Sequence, residues 1–291
     1  MRFRAKLVDV GCINHFIRLL TCISKLTKAC TMRITPDHLH FTLSDRASQG
    51  AMGLWCELQQ ANFFDKYQMD GVSAEHNEIY LDVAPESVSR ALRTAQAAKS
   101  VKIKLTRKHC PCLTLAVELL TVTGCSRVVT HDIPVYVVPR QIWCDYREPS
   151  MPDFDVGIYL PPLKTLKGFL ERMKSFSNFV VRASILQVVE ANQKGEMNLK
   201  IETELLTVTT HFHDLGKAPW VSDGTQQRSG EERDPEEMAS ARTDIRKLLQ
   251  FVSSQLMTPK KAVCNIVDNS LLHFTMFHED HILQYFIPAM T

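Results

Sequence analysis

The sequence predicts an α+β protein of two similar halves, each with helices on one face of antiparallel sheets. Three observations lead there. Apolar residues recur at helical spacing in four segments and at strand spacing through most of the remainder. The order strand, helix, several strands, helix, several strands is used twice. Cations also gather on the four helices, although the chain of 291 residues carries a net charge of only +2.

The first half opens with a strand over 1–8, where charged and apolar residues alternate from Arg2 to Lys6. A helix over 9–28 follows, with Ile13, Phe16, Ile17 and Leu20 on one apolar stripe. Strands are expected at 31–35, 39–43, 54–58 and 78–83, with Pro36–Asp37 supplying a turn. A second helix, 85–99, starts on Pro85, where a missing N–H costs nothing. Its inner stripe is Val88, Leu92 and Ala95. Strands at 101–105 and 113–119 complete the half.

The second half repeats the plan. A strand over 156–160 is stopped by Pro161–Pro162. The third helix, 162–174, has Leu163, Leu166, Leu170 and Met173 as its stripe. Strands are expected near 179–190, 197–203 and 205–213. The fourth helix, 242–256, carries Ile245, Leu248, Leu249 and Val252. Strands at 262–267, 271–277 and 282–287 close the chain. Burying each such Leu or Ile contributes roughly 1.5–3 kcal/mol, so the stripes fix which face of each helix is hidden. Between the halves, 139–155 has the prolines and acids of a linker. This divides the chain into domains 1–138 and 156–291. Residues 216–235, dense in Gly, Ser, Asp, Glu and Gln, read as a mobile loop within the second domain.

The predicted helices hold net charges of +2, +2, +3 and +2, which leaves −7 for the rest of the chain. Their cations lie off the apolar stripes and so face solvent. A basic helical surface on an otherwise acidic body points to a polyanionic partner, with Arg18, Lys25, Arg90, Arg93, Lys164, Lys167, Arg172, Arg246 and Lys247 as the phosphate-facing set. The bland alternative for any one helix is a solvated charged face. It is the agreement of all four that favours DNA, held through its backbone without reading of bases.

Other classes are less well supported. No apolar run approaches the ~20 residues of a membrane span. The nine cysteines are scattered and odd in number, as free thiols in a reducing compartment would be. The pair His211 and His213, on one face of a strand, is the best opening for a metal-dependent hydrolase, but it has no third ligand nearby. Cys110–Pro111–Cys112 lacks zinc or redox spacing. The His278–His281 cluster falls where an exposed hairpin turn is expected. Phosphate-binding glycine loops and nucleophile elbows are missing from the sequence. Neither catalysis nor a cofactor is expected. A scaffold that never touches DNA remains an alternative.

The twofold plan with basic helices resembles that of DNA sliding clamps, and the terminal Leu283–Gln284–Tyr285–Phe286–Ile287–Pro288–Ala289 resembles their last strand. More specifically, the whole chain is similar to the Hus subunit of the nine-one-one DNA-damage checkpoint clamp. The residues that carry this include Phe3–Arg4–Ala5–Lys6, Trp55–Cys56–Glu57–Leu58 and Met69–Asp70–Gly71–Val72–Ser73–Ala74. Thr130–His131–Asp132–Ile133–Pro134, Asn198–Leu199–Lys200–Ile201–Glu202 and Asp244–Ile245–Arg246–Lys247–Leu248–Leu249 carry it further. The stretch Val180–Asn192 departs from the family by several extra residues, as a long bulged strand or an added loop would.

The resemblance implies a PCNA-like fold and a heterotrimeric ring completed by two sister checkpoint subunits of the Rad group, with helices lining the hole. It implies loading onto double-stranded DNA by an RFC-like clamp loader, support of ATR signalling, recruitment of DNA repair enzymes and a nuclear location with some cytoplasmic protein. A homo-oligomeric PCNA-like ring is the variant reading. By analogy with clamps, edge strands are offered to neighbours through Leu113, Leu115 and Val117 in the first domain and Leu206, Val208 and Thr210 in the second. Ile142, Trp143 and Tyr146 of the linker, with Tyr285, Phe286 and Pro288, are the expected partner groove. Packing of Trp143 onto a sheet is the equal alternative.

Overall fold

The computed structural model describes residues 1–43, 52–120, 125–149, 151–176, 186–202, 207–218 and 234–290. The chain forms two compact units, one holding most of residues 1–148 together with Glu279–Ile282, the other most of the remainder.

In the first unit, β1 (Arg2–Leu7), β5 (Lys66–Asp70), β7 (Ala98–Arg107), β8 (Pro111–Leu120) and β9 (Ser126–Pro134) form one antiparallel sheet in the order β5-β1-β7-β8-β9. A second set runs β10-β6-β2-β3-β4, from β2 (Cys30–Ile34), β3 (His38–Thr42), β4 (Gly53–Gln59), β6 (Ile79–Val83) and β10 (Tyr136–Val137). The helices are α1 (Val10–Leu26), the single turn α2 (Gln60–Phe63) and α3 (Pro85–Leu92), which continues as a 3-10 turn to Ala95.

The expected stripe of α1 is buried at all four positions, and that of α3 at Val88, Leu92 and Ala95. The two helices lie side by side, with the Thr21 and Ser89 hydroxyls 2.9 Å apart. Phe16 and Leu20 of α1 meet Phe3, Ile103 and Leu113 from the first sheet, which fixes the sheet's inner face. Asp9 caps α1: its carboxylate accepts from the Cys12 amide at 2.8 Å, and these bonds hold its pKa below the usual range.

In the second unit, β12 (Leu186–Ala191), β13 (Met197–Glu202), β14 (Thr207–Phe212) and β15 (Ala239–Asp244) form a sheet in the order β14-β13-β12-β15. The run β18-β17-β16-β11 comes from β11 (Val156–Tyr159), β16 (Lys261–Val267), β17 (Leu271–Phe277) and β18 (His281–Pro288). The helices are α4 (Leu163–Phe176) and α5 (Ile245–Ser254). Leu166, Leu170 and Met173 of α4 are buried, as are Ile245, Leu248 and Val252 of α5. Leu249, placed on the stripe from its spacing, is only half-buried, and Phe251 takes the core position. Phe251 stacks on Tyr285 at 4.9 Å and meets Phe274 at 5.0 Å, so aromatic packing rotates the stripe toward it.

The fourth helix is shorter than its expected 242–256 span. Arg242 lies in β15, and Asp244 ends that strand by accepting from the Arg246 amide at 2.8 Å, which makes it the cap of α5. Likewise Lys99 belongs to β7, which begins with a bulge between Ala98 and Ser100. Of the stretch Val180–Asn192, Leu186–Ala191 is the strand β12 and the residues before Leu186 lie outside those described. Most of the expected 216–235 loop also lies outside them. Its start is tied down: Tyr159 donates to the Gly216 carbonyl at 2.8 Å and Ala218 to that of Gly157 at 3.0 Å.

Five of the nine cysteines, Cys22, Cys30, Cys56, Cys112 and Cys264, are buried free thiols. Phe251→Ala is expected to destabilise the chain by about 3–5 kcal/mol, since it opens a cavity where three rings meet. The lowered urea midpoint is the readout.

Candidate nucleic-acid interface

The four main helices and the 3-10 turn hold ten lysines and arginines against two glutamates. All nine residues of the phosphate-facing set lie on them. Arg18, Lys25, Arg90, Arg93, Lys164, Arg172 and Arg246 are exposed, whereas Lys167 and Lys247 are intermediate. The cations are not equivalent. Arg90 pairs with Glu86 and Lys167 with Glu171, each one helical turn away, which dilutes their fields. The Arg172 guanidinium sits over the Phe169 ring at 5.3 Å. Lys174, counted in the charge of the third helix but outside the phosphate-facing set, is exposed in the last turn of α4. Lys164 and Lys167 also border an open groove of about 610 Å3 between α4 and the segment after α5.

The edges fall differently from expectation in the first unit. Leu113, Leu115 and Val117 are buried on β8, an internal strand flanked by β7 and β9. Among the described residues the edges of that sheet are β5 and β9, and on β9 Val128 is 59% exposed, near Leu120 of β8 at 60%. The polar composition of β9, Ser126 to Pro134, hid it from a reading tuned to apolar runs. In the second unit β14 is an edge, carrying Val208 and Thr210. Among the described residues it pairs with β13 alone, through Ile201↔Val208 and Leu199↔Thr210. Leu206 lies outside the described residues.

The residues named for the partner groove fall in two units, Ile142, Trp143 and Tyr146 in the first and Tyr285, Phe286 and Pro288 in the second. Trp143 stacks on Tyr80 of β6 at 4.5 Å and donates its indole N–H to the Val138 carbonyl at 3.0 Å. Tyr146 is buried in the same cluster, with Ile142 against it, on a 3-10 turn over Arg140–Tyr146. This part of the linker therefore packs onto the first unit. Tyr285 and Phe286 are core residues, 1% and 8% exposed, and Pro288 is partly buried. Burial of nearly every position of β18 accounts for its apolar run.

Phe286 stacks on His273 at 4.5 Å, with Phe154 against the same ring at 5.1 Å. Asn265 Nδ2 is 3.1 Å from His273 Nδ1, and Gln284 Oε1 is 3.0 Å from Nε2, a pairing that suits neutral imidazole. Burial pushes His273 down to about 4, partly offset by the Gln284 bond, and pushes His40 down to about 3. His281 is buried rather than exposed, with Nδ1 3.2 Å from His15 Nε2.

His211 and His213 are both exposed, with rings 6.3 Å apart. His211 Nδ1 is engaged by Asn198 Oδ1 at 2.8 Å, and His213 faces Glu196 at 3.6 Å. Among the described residues, no group of three or more His, Cys, Asp and Glu side chains is arranged to hold a metal ion. The thiols of Cys110 and Cys112 are 3.8 Å apart at a hairpin end.

Two units, each with two packed helices and antiparallel sheets, define the architecture of the sliding clamps. The structure aligns with Proliferating Cellular Nuclear Antigen from Entamoeba histolytica over 99% of both chains, with a TM-score of 0.69 at 11% identity. It aligns with PCNA from Thermococcus kodakaraensis over 98% of this chain and 99% of that one, with a TM-score of 0.65 at 12% identity. The family model for Hus1-like protein matches residues 1–291. The human Checkpoint protein HUS1 is 56% identical over 291 residues, covering all of both chains, and Schizosaccharomyces pombe Checkpoint protein hus1 is 25% identical over 300 residues, covering 99% of each. The chain belongs to the Hus1-like family and is a checkpoint protein with the PCNA clamp fold.

A titration follows from the buried histidines. Unfolded, His273 protonates near 6.5, whereas folded it resists until about 4. The stability contributed by its neutral form is whole above pH 6.5 and is lost as pH falls through 6.5 toward 4. Urea midpoints measured across that range are expected to fall with pH, and less steeply in His273→Gln.

Proposed function

We propose that the chain is a non-catalytic subunit of a heterotrimeric DNA sliding clamp that acts in the DNA-damage checkpoint. Family membership over the full length, joined to cationic exposed faces on every main helix, carries this reading. In the ring, the helical faces of both units line the hole and attract phosphates of double-stranded DNA without selecting sequence. Two sister checkpoint subunits complete the circle. Closure is head to tail: β14 of one subunit pairs with the β9-type edge of the next, and backbone groups at each free edge gain partners. An RFC-like loader opens the ring at damage in the nucleus, where it supports ATR signalling and holds repair enzymes. A share of the protein is cytoplasmic.

The lining is tested by charge reversal. Arg18→Glu, Lys25→Glu and Arg93→Glu together are expected to weaken retention of the assembled ring on closed circular DNA by about tenfold or more. The salt slope should fall by roughly one for each phosphate left without its cation. Retention equal to that of the unaltered ring at low salt would sink the inward-facing assignment.

Closure is tested by native mass spectrometry with both sister subunits. Val128→Asp on one edge, or Val208→Pro on the other, is expected to abolish the one-to-one-to-one trimer. The variant monomer should keep its circular dichroism spectrum. A trimer that survives both substitutions would place the contacts on other strands, and a homotrimer of this chain alone would replace the heterotrimer.

A further inference from the structure

The outward face of the first sheet holds a concentration of positive charge that the clamp reading leaves unused. Strand alternation buries Phe3, Ala5 and Leu7 of β1 and turns Arg4 and Lys6 the other way. On β7, Val101 and Ile103 go inward and Lys102 and Lys104 outward. The register then sets like charges side by side. Lys6 stands opposite Lys66 on one flank and Lys102 on the other, and Arg4 stands opposite Lys104. Neighbouring strands are about 4.8 Å apart, and like charges directly opposite destabilise a sheet.

This centre is left unneutralised. Among the described residues, Arg4, Lys6, Lys66, Lys102 and Lys104 form no ion pair. The carboxylates on the same sheet are engaged at its margins. Asp70 faces Arg2 at 4.0 Å, and Asp132 takes Lys108 and the Thr114 hydroxyl. Glu118 takes Lys99, Ser100 and Ser126, and Asp65 accepts from the Val8 amide at 2.6 Å. The result is a cationic centre bounded by carboxylates, on the side of the sheet away from α1.

We infer that this face docks a short acidic segment of a partner protein. Cations two residues apart along a strand are about 6.8 Å apart, the spacing of alternate side chains in an extended peptide. A peptide strand laid along β1 therefore sets successive carboxylates between the lysine rows. Duplex DNA fits less well, because the bounding carboxylates oppose a long polyanion. Among the described residues the face has no platform for bases: Tyr67 turns inward, where it packs against Phe3 and donates its hydroxyl to the Thr35 carbonyl at 2.8 Å. The inference is independent of the ring, since it concerns the side opposite the helical cations.

The test uses the full chain, a fluorescein-labelled peptide of about eight residues, enough to span a strand, with alternating Glu and Ser, and a labelled duplex of about 20 base pairs. Fluorescence anisotropy is expected to show peptide binding that Lys102→Gln with Lys104→Gln weakens by roughly tenfold, while Lys28→Gln with Lys217→Gln, outside both cationic sets, leaves it unchanged. Without ligand, the Lys102/Lys104 pair of substitutions is expected to raise the melting temperature by about 1–3 °C, because it relieves cross-strand repulsion in the folded protein. Peptide should raise the melting temperature of the unaltered chain and leave that of the variant in place. Absence of peptide binding overturns the proposal, as does equal binding by the Lys102/Lys104 variant. Duplex that binds this face more tightly than peptide, and is released in the same variant, overturns it in favour of nucleic acid.

Discussion

The burial of one apolar stripe per helix against a sheet is the constraint on which the rest depends. Ile13, Phe16, Ile17 and Leu20 leave α1 no choice of orientation once Phe3 and Ile103 form the surface beneath. Arg18 and Lys25 then project to solvent because the stripe points inward. The same logic acts in α4, where Leu166, Leu170 and Met173 are hidden and Lys164, Arg172 and Lys174 are not. The cationic faces are a by-product of core packing, so they withstand the repulsion among their own charges. A few kcal/mol of burial per helix outweighs tenths of a kcal/mol of screened surface electrostatics.

Sheets obey a period of two instead, and this separates two uses of charge within one domain. On β1 the inward residues belong to the core and the outward ones are Arg2, Arg4 and Lys6. The first unit therefore presents cations both from its helices and from the far side of its first sheet.

What was legible in the sequence follows the strength of these periodicities. Helix stripes and two-sided core strands were readable because many residues agree. Edge strands were not: β5, with Lys66, Gln68 and Asp70 outward, and β9, with Ser126, Thr130 and Asp132, bury little and so leave a weak apolar signal. Helix ends failed where a single polar contact decides them. Asp244 stops a strand and starts a helix through one amide bond, which moved Arg242 off the helix. Aromatic residues misled in another way. Trp143 looks functional in a proline-rich stretch, yet its stacking on Tyr80 and its bond to Val138 were invisible until the strand bearing Tyr80 was in place. The DNA-facing set rested on helical spacing, and its residues lie on the helices for that reason.

The buried cysteines give each unit a built-in reporter of its own opening. A thiol must ionise to react, and burial pushes Cys30 and Cys56 well up and Cys264 up to about 12. In the closed native fold burial disfavours the thiolate at these sulfurs. Alkylation at Cys22, Cys30 and Cys56 counts excursions of the first unit, and alkylation at Cys264 counts those of the second. The unmodified chain thus carries two independent clocks, one for each half of a duplicated architecture, and they tell whether the halves breathe together or apart.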